Sequence, residues 1–222
     1  MNSAQQFERL KLTTPECKFQ YAWLVTPDTK YEQAVWKVIA LIPADKAADM
    51  ADQLDGLLTR FQKQCKEADP NKKKWTSAPT SFGFDDIEGE SVFYIKMKRK
   101  VNGVRKDGST WTNSAPALFD ANGKPLSEEM KQRVDKIGPG STGRISFEAV
   151  PYNHPSTGVG IKVQPLAAQI IDLKEYTKSS TSYGFEATEG NFQGACEVST
   201  SSTEEDLSLI HISEPTRRYA IS

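Results

Sequence analysis

The sequence predicts a mainly β protein, a small Greek-key barrel or a sandwich that carries one amphipathic helix. Two observations lead there. Five segments are rich in β-branched and aromatic residues and are bounded by Pro, Gly or turn dipeptides. Only one stretch changes to the three- and four-residue apolar spacing of a long helix. At 222 residues, the chain is long enough for one domain with a tail.

Residues 19–26 (FQYAWLVT) and 35–42 (VWKVIALI) end at Pro27 and Pro43 and are the first two strands, joined by a polar connection. After Pro43 the period changes. Ala47, Met50, Ala51, Leu54, Leu57, Leu58, Phe61 and Cys65 form one apolar stripe, with Asp45 as the expected N-cap and Asp49 adding favourable charge near the start. Pro70 and the lysines at 72–74 end this helix in a loop.

The third strand, residues 93–101 (FYIKMKRKV), alternates across its pleat. Phe93, Ile95 and Met97 face one way, and Tyr94, Lys96, Lys98 and Lys100 the other. Residues 91–106 hold six basic side chains and no acid. An aromatic ring in line with lysines suits a flexible polyanion, with phosphates on the cations and a base on the ring. The competing account is an edge strand protected from aggregation by its lysines, which seldom needs six positive charges.

Asn102-Gly103 and Asp107-Gly108 are turn dipeptides, with Val104 and Arg105 expected at a hairpin tip. Trp111 stands in a polar context, either as a cap over the core or as an exposed stacking platform. Residues 118–120 and Asn122-Gly123-Lys124 form a short strand and its turn, and 127–136 is a solvated helical turn or loop broken by Gly138-Pro139-Gly140. The last two strands are 144–150, with Ile145, Phe147 and Ala149 inward, and 158–173, broken by Pro165. Residues 151–155 are expected to form the turn between them.

The net charge of −1 conceals an uneven distribution. Residues 1–178 hold 26 Lys/Arg and 22 Asp/Glu, a net of +4, whereas 179–206 hold six acids and no base. The latter segment is rich in Ser, Thr and Gly and too poor in apolar side chains to offset its ordering entropy, so a disordered acidic tail is expected. Beside a mildly basic body it suggests a polyanion partner, or else a solvated tail without a role. Residues 207–222 (LSLIHISEPTRRYAIS) resemble the in-frame translation of a transposon-type sequencing adapter, which would replace the natural C-terminus. The expected division is therefore a domain at 1–178, an acidic tail at 179–206 and a foreign extension at 207–222.

No apolar run approaches the ~18 residues of a membrane span, and the first thirty residues lack a secretion signal. An intracellular protein with no membrane partner is expected. Cys17, Cys65 and Cys196 are too far apart for a disulfide framework or a metal knuckle, and His154 and His211 are the only histidines. No phosphate-binding loop, zinc-protease motif or nucleophile elbow is present. No metal, cofactor or enzymatic activity is expected. The acidic groups Asp85-Asp86-Glu88-Glu90 and Asp49-Asp52-Asp55 lie in a Gly-punctuated loop and on a solvated helix face. A metal-dependent nuclease and a β-rich virion structural protein are the alternatives.

Residues 143–176 (GRISFEAVPYNHPSTGVGIKVQPLAAQIIDLKEY) are similar to the last strands of the single-stranded DNA-binding proteins of T-seven-like short-tailed bacteriophages. The resemblance extends to YAWLVTPD at 21–28, to AVWKVIALIP at 34–43 with its following helix, and to FYIKMKRK at 93–100. It covers roughly residues 19–176, and Val150-Pro151-Tyr152 matches the family's strand-end motif. The resemblance implies an OB-fold, a five-stranded Greek-key barrel with a helix packed on it and an acidic C-terminal tail. It also implies coating of single-stranded DNA in replication, recombination and repair in the host cytoplasm, with strand annealing and a tendency to dimerise. The phage polymerase and helicase–primase are the implied partners of the tail, here Glu204, Glu205 and Asp206. This chain departs from the family at Lys98, where an aromatic is usual, and in the shortness of its final acidic run.

The residues expected to contact phosphate are Lys96, Lys98, Lys100, Arg105, Arg144 and Lys162. Those expected to stack on bases are Tyr94, Trp111 and Tyr152, with His154 beside the last. Tyr152 leads this set, against the competing role of a strand-corner tyrosine bonded to backbone. Trp23 and Trp36 are left open between core and groove.

Overall fold

Alternating burial along five long strands organises the protein, seen here in a computed structural model that describes residues 8–30, 33–72, 75–87, 89–133 and 137–174. In chain order the elements are β1 (Leu10–Thr13), β2 (Cys17–Asp28), β3 (Val35–Pro43), a 3-10 turn (Ala44–Lys46), α1 (Ala48–Ala68), β4 (Phe82–Ile87) and β5 (Glu90–Lys100). There follow β6 (Asn102–Val104), β7 (Thr110–Thr112), β8 (Ala117–Phe119), α2 (Glu128–Arg133), β9 (Thr142–His154) and β10 (Gly158–Asp172). The five expected strands are the five long ones: β2, β3, β5, β9 and β10. The short strands extend the sheet, and the result is a mainly β, OB-type barrel with one long helix.

The main sheet runs β4-β5-β3-β2-β9-β10-β8, with β1 paired to β9. The long pairings are antiparallel, whereas the short β8 joins β10 in parallel. The sheet curls until β10 comes beside β5, and residues 76–81 close the seam. In this strap the Val159 N–H donates to the Thr76 carbonyl (2.9 Å) and the Ala78 N–H to the Val159 carbonyl (2.8 Å). At its other end the Lys96 N–H donates to the Ser81 carbonyl (2.7 Å). Gly158 lets the strap approach: its φ is +91°, and a Cβ there would lie 2.1 Å from the Thr76 carbonyl oxygen.

Inside the barrel sit Phe19, Val38, Ala40, Ile42, Phe93, Ile95, Met97, Ile145, Phe147, Ala149 and Val163, all buried. These residues alternate with outward polar ones along β5, β9 and β10, as the sequence predicts. The stripe of α1 buries Met50, Ala51, Leu54 and Leu57 in the same core, while Phe61 and Cys65 form a smaller cluster with Val159. Each large apolar side chain buried this way contributes about 1.5–3 kcal/mol. Two buried hydroxyls tie neighbouring loop segments to the barrel. Thr14 Oγ1 accepts from the Ile145 N–H (2.9 Å), and Ser141 Oγ donates to the Gly138 carbonyl and accepts from the Lys174 N–H (2.8 and 2.9 Å).

Several local expectations are corrected. Asp45 does not cap α1; it lies in the 3-10 turn, and the cap is Ala47, which has no side-chain oxygen to offer. Pro43 precedes the 3-10 turn, which the Ala47 N–H closes by donating to the Ala44 carbonyl (3.3 Å). Asn102-Gly103 is not a turn but part of β6, paired with β7, and Val104 also belongs to that strand. The turn is at 105–109, where the Arg105 N–H donates to the Ser109 carbonyl and the Gly108 N–H to the Arg105 carbonyl. Residues 151–154 are not a turn but the end of β9, because pairing with Gly158–Ile161 of β10 keeps them extended through Pro151. Pro165 does not end β10; a bulge between Pro165 and Ala167 accommodates it. The acidic tail and the 207–222 extension lie outside the described residues.

Candidate nucleic-acid interface

The outward face of β5 carries Tyr94, Lys96 and Lys98 with Lys100 beyond, as the alternation predicts. Antiparallel pairing sets Ile39 of β3 opposite Lys96 and Lys37 opposite Lys98. Two adjoining hollows follow from this. One, of 430 Å³, is lined by Tyr21, Lys37, Val38, Ile39, Ser81, Lys96, Met97 and Lys98. The other, of 340 Å³, is lined by Ser81, Lys96, Lys98, Tyr152, Ile161, Lys162 and Val163. They share Ser81, Lys96 and Lys98, and together make one open groove from Tyr21 on β2, across β3 and β5, to Lys162 on β10 and Tyr152 on β9.

Curling of the barrel gives the groove its field. Lys162 is half-buried, and burial, followed by Lys100, Arg99 and Lys98, pushes its ammonium below the usual lysine range. Among the described residues, Lys96, Lys98, Lys100 and Lys162 belong to no ion pair. Lys37 differs: it is ion-paired with Asp28, a carboxylate only 4 % exposed. The hydrogen bond from Lys37, then that from the Lys30 N–H, holds Asp28 below the usual carboxylate range. The Lys37 end of the groove is therefore partly neutralised, and the free positive charge lies along β5 and β10.

All three expected stacking rings cross a glycine on the neighbouring strand. Tyr152 is opposite Gly160, where a Cβ would stand 2.8 Å from the Tyr152 hydroxyl oxygen. Trp111 is opposite Gly103, where a Cβ would stand 2.5 Å from Cζ2 of the indole. Tyr94 is opposite Gly83, with a looser 3.3 Å to its hydroxyl, and Lys96 Nζ lies 4.8 Å from its ring centroid. Each ring is half-buried, resting on the backbone that the glycine leaves bare. Such a ring is held from one side and offered to solvent on the other, which suits it to a planar partner.

The expected residues do not all converge. Lys96, Lys98, Lys162 and Tyr152 line the groove, and Tyr94 and Lys100 flank it on β5. Arg105 and Trp111 belong to the separate β6–β7 hairpin, which continues β5; Asn113 secures it by donating from Nδ2 to the Lys100 carbonyl (2.8 Å). Arg144 does not join the groove. It lies opposite Gln169, eight residues before Tyr152 on β9, or about 26 Å along an extended strand. His154 is exposed as the last residue of β9, where its Nδ1 is 2.9 Å from Ser156 Oγ and accepts from the Ser156 N–H (3.3 Å). Glu204, Glu205 and Asp206 lie outside the described residues.

Tyr21, Lys37, Ile39 and Ser81 were not foreseen in the groove. Lys37 has a sequence signal, since it interrupts the apolar run VWKVIALI. Ser81 enters only because the strap closes the barrel. Trp36, left open by the sequence, is core, 6 % exposed, its Nε1 without a hydrogen-bond partner among the described residues; Trp23 is half-buried. Asp49, Asp52, Asp55, Asp85 and Asp86 are exposed, and among the described residues no group of three His, Cys, Asp or Glu side chains is placed to hold a metal ion. No helix among the described residues is long and apolar enough to cross a membrane.

No protein-family model matches the sequence, and no curated protein does. Solved structures do match. gp2.5, a single-stranded DNA binding protein encoded by bacteriophage T7, superposes with a TM-score of 0.65 at 20% identity, covering 85% of this chain and 100% of its own. The single-stranded DNA-binding protein from bacteriophage Enc34 matches at a TM-score of 0.52 and 12% identity, over 80% of this chain and 90% of its own. Its C-terminal truncation matches equally well over 75% and 87%. The chain therefore shares the fold of phage single-stranded DNA-binding proteins.

Proposed function

We propose that this protein is a phage single-stranded DNA-binding protein that coats DNA without sequence preference. The observation that carries the reading is the groove. Three lysines without ion-pair partners (Lys96, Lys98 and Lys162) line it beside a tyrosine laid over a glycine, with Lys100 adjacent, on a fold shared with proteins of that function. Cations spaced along a strand face follow a phosphate backbone, and an open ring accepts any base because every base has a π-face.

The test is a titration of labelled oligonucleotides at several salt concentrations. Four neutralised phosphates predict that log K falls with log salt at a slope of about −3 for a single strand. Tyr152→Ala should cost about tenfold in affinity at constant slope, since base–aromatic stacking is worth roughly 1–3 kcal/mol. A slope near zero, or equal binding of double-stranded DNA, would sink the proposal. Turnover of the DNA on addition of magnesium would point to the nuclease alternative.

The rest of the reading follows from the resemblance and the charge layout. The body at 1–178 binds DNA, and the six acids at 179–206 compete for the same cations from a tether, at an effective concentration that can reach the order of millimolar. DNA would displace the tail and present Glu204, Glu205 and Asp206 to the replicative polymerase and helicase–primase. The wider role is replication, recombination and repair in the host cytoplasm, with strand annealing and a homodimer as further components. Deleting residues 179–222 should tighten DNA binding and weaken binding to those partners; unchanged DNA affinity would leave the tail a solubility device.

A further inference from the structure

We infer that Tyr21 is a second base-stacking platform, placed at the end of the groove opposite Tyr152. The inference rests on the DNA-binding reading above and adds a subsite to it. Tyr21 is the one non-glycine residue with a positive φ among the described residues, at +48°. It is also 67 % exposed, so core packing does not hold it in that conformation.

The sheet register explains how it is presented. Gln20 pairs with Ile39 and Trp23 with Lys37, so β2 spends three residues where β3 spends two. The extra residue makes a bulge, a feature that turns a side chain out of its regular direction. In bulges of this kind the left-handed position is normally glycine, which takes it without steric cost. A ring-bearing L-residue there is disfavoured, and such outliers concentrate at functional sites. Folding would be served as well or better by glycine, so the ring has a use apart from folding.

Its surroundings indicate what that use is. Tyr21 lines the groove with Lys37, Lys96 and Lys98, and the same groove continues past Lys162 to Tyr152. Two rings thus bracket a cationic floor. Followed over the surface, the path from ring to ring crosses β3, β5 and the strap-closed seam to β10, on the order of 20 Å with paired strands ~4.8 Å apart. That is long enough for several nucleotides, consistent with a site of about 4–16 nucleotides per OB-fold. The ligand is a nucleobase several positions along the strand from the one on Tyr152.

Tyr21→Gly isolates the ring, because glycine adopts the same backbone freely. With an oligothymidylate of about 16 nucleotides, Tyr21→Gly should bind roughly tenfold more weakly at an unchanged salt slope, and Tyr21→Phe within about twofold of wild type. The thermal midpoint of Tyr21→Gly should be equal to or above that of wild type. Wild-type affinity in Tyr21→Gly would overturn the inference. Should that variant fail to fold, photocross-linking of wild-type protein to halogenated deoxyuridine oligonucleotides decides the matter. Adducts on Tyr21 support the subsite, and adducts confined to other residues overturn it. If Tyr152→Ala weakens binding and Tyr21→Gly does not, this subsite alone fails. If wild type shows no salt-dependent binding, the DNA-binding reading itself fails.

Discussion

Replacing Lys162 with Gln should stabilise the free protein while weakening its hold on DNA. Burial and the neighbouring Lys100, Arg99 and Lys98 depress the Lys162 pKa, so folding disfavours its charged form. For a lysine shifted downward, the unfolded chain binds the proton more tightly than the fold does. The resulting cost is absent above the unfolded value of about 10.4 and grows as pH falls, becoming full below the depressed folded value. A neutral side chain removes that cost, and the thermal midpoint at pH 7 should rise. On the proposed function DNA would supply the missing counter-charge, so the same substitution should remove one phosphate contact and change the slope from about −3 to about −2, at ~0.7 per phosphate. Between about 50 and 200 mM salt, wild type should lose roughly 50-fold in affinity and the variant roughly 20-fold. Fluorescence anisotropy across that range, beside a thermal melt of the free protein, measures both effects. Lys124→Gln, in an exposed turn remote from the groove, is the control and should alter neither. A lower midpoint combined with an unchanged slope would refute the placement of Lys162 among free cations in a DNA groove.

Two further outcomes follow from the site geometry. Asp28 has a depressed pKa, so it stabilises the fold above the unfolded carboxyl value of about 3.9, and that contribution is lost as pH falls through its lower folded value. In urea titrations Asp28→Asn should abolish this acid-sensitive component. Because it also frees Lys37, it should steepen the salt slope by about 0.7; an unchanged slope would mean that Lys37 never meets phosphate. Gly103→Ala would place a Cβ 2.5 Å from the Trp111 indole and lift the ring from its seat. The DNA-induced quench of tryptophan fluorescence should then shrink as much as in Trp111→Phe, with far-UV circular dichroism unchanged. A full quench would separate Trp111 from the DNA path.

The strands and the helix were legible in the sequence because their signals are local. Alternation along 93–101 places Lys96 and Lys98 outward and Ile95 and Met97 inward whatever partners those strands find, and the structure agrees. The α1 stripe is likewise a property of 3.6-residue periodicity, and Met50, Leu54, Leu57 and Phe61 are buried as it requires. Boundaries were less legible, because pairing partners decide them. Residues 151–154 carry two turn signals, Pro151 and Asn153, yet stay extended against β10, and Asn102-Gly103 is held in a strand beneath an indole.

Sequence alone determined a mainly β body, barrel or sandwich, with one helix and a basic strand whose outward face carries a tyrosine in line with lysines. Tertiary structure decided which charges act together. It brought Lys162 beside Lys98 and Lys100, admitted Lys37 but tied it to Asp28, left Arg144 out, and turned Tyr21 into the groove through a bulge. The physical reason is one of range. Side-chain direction along a strand is set by adjacent backbone dihedrals, whereas a shared groove depends on how residues more than a hundred positions apart are brought together by curling and closing the sheet.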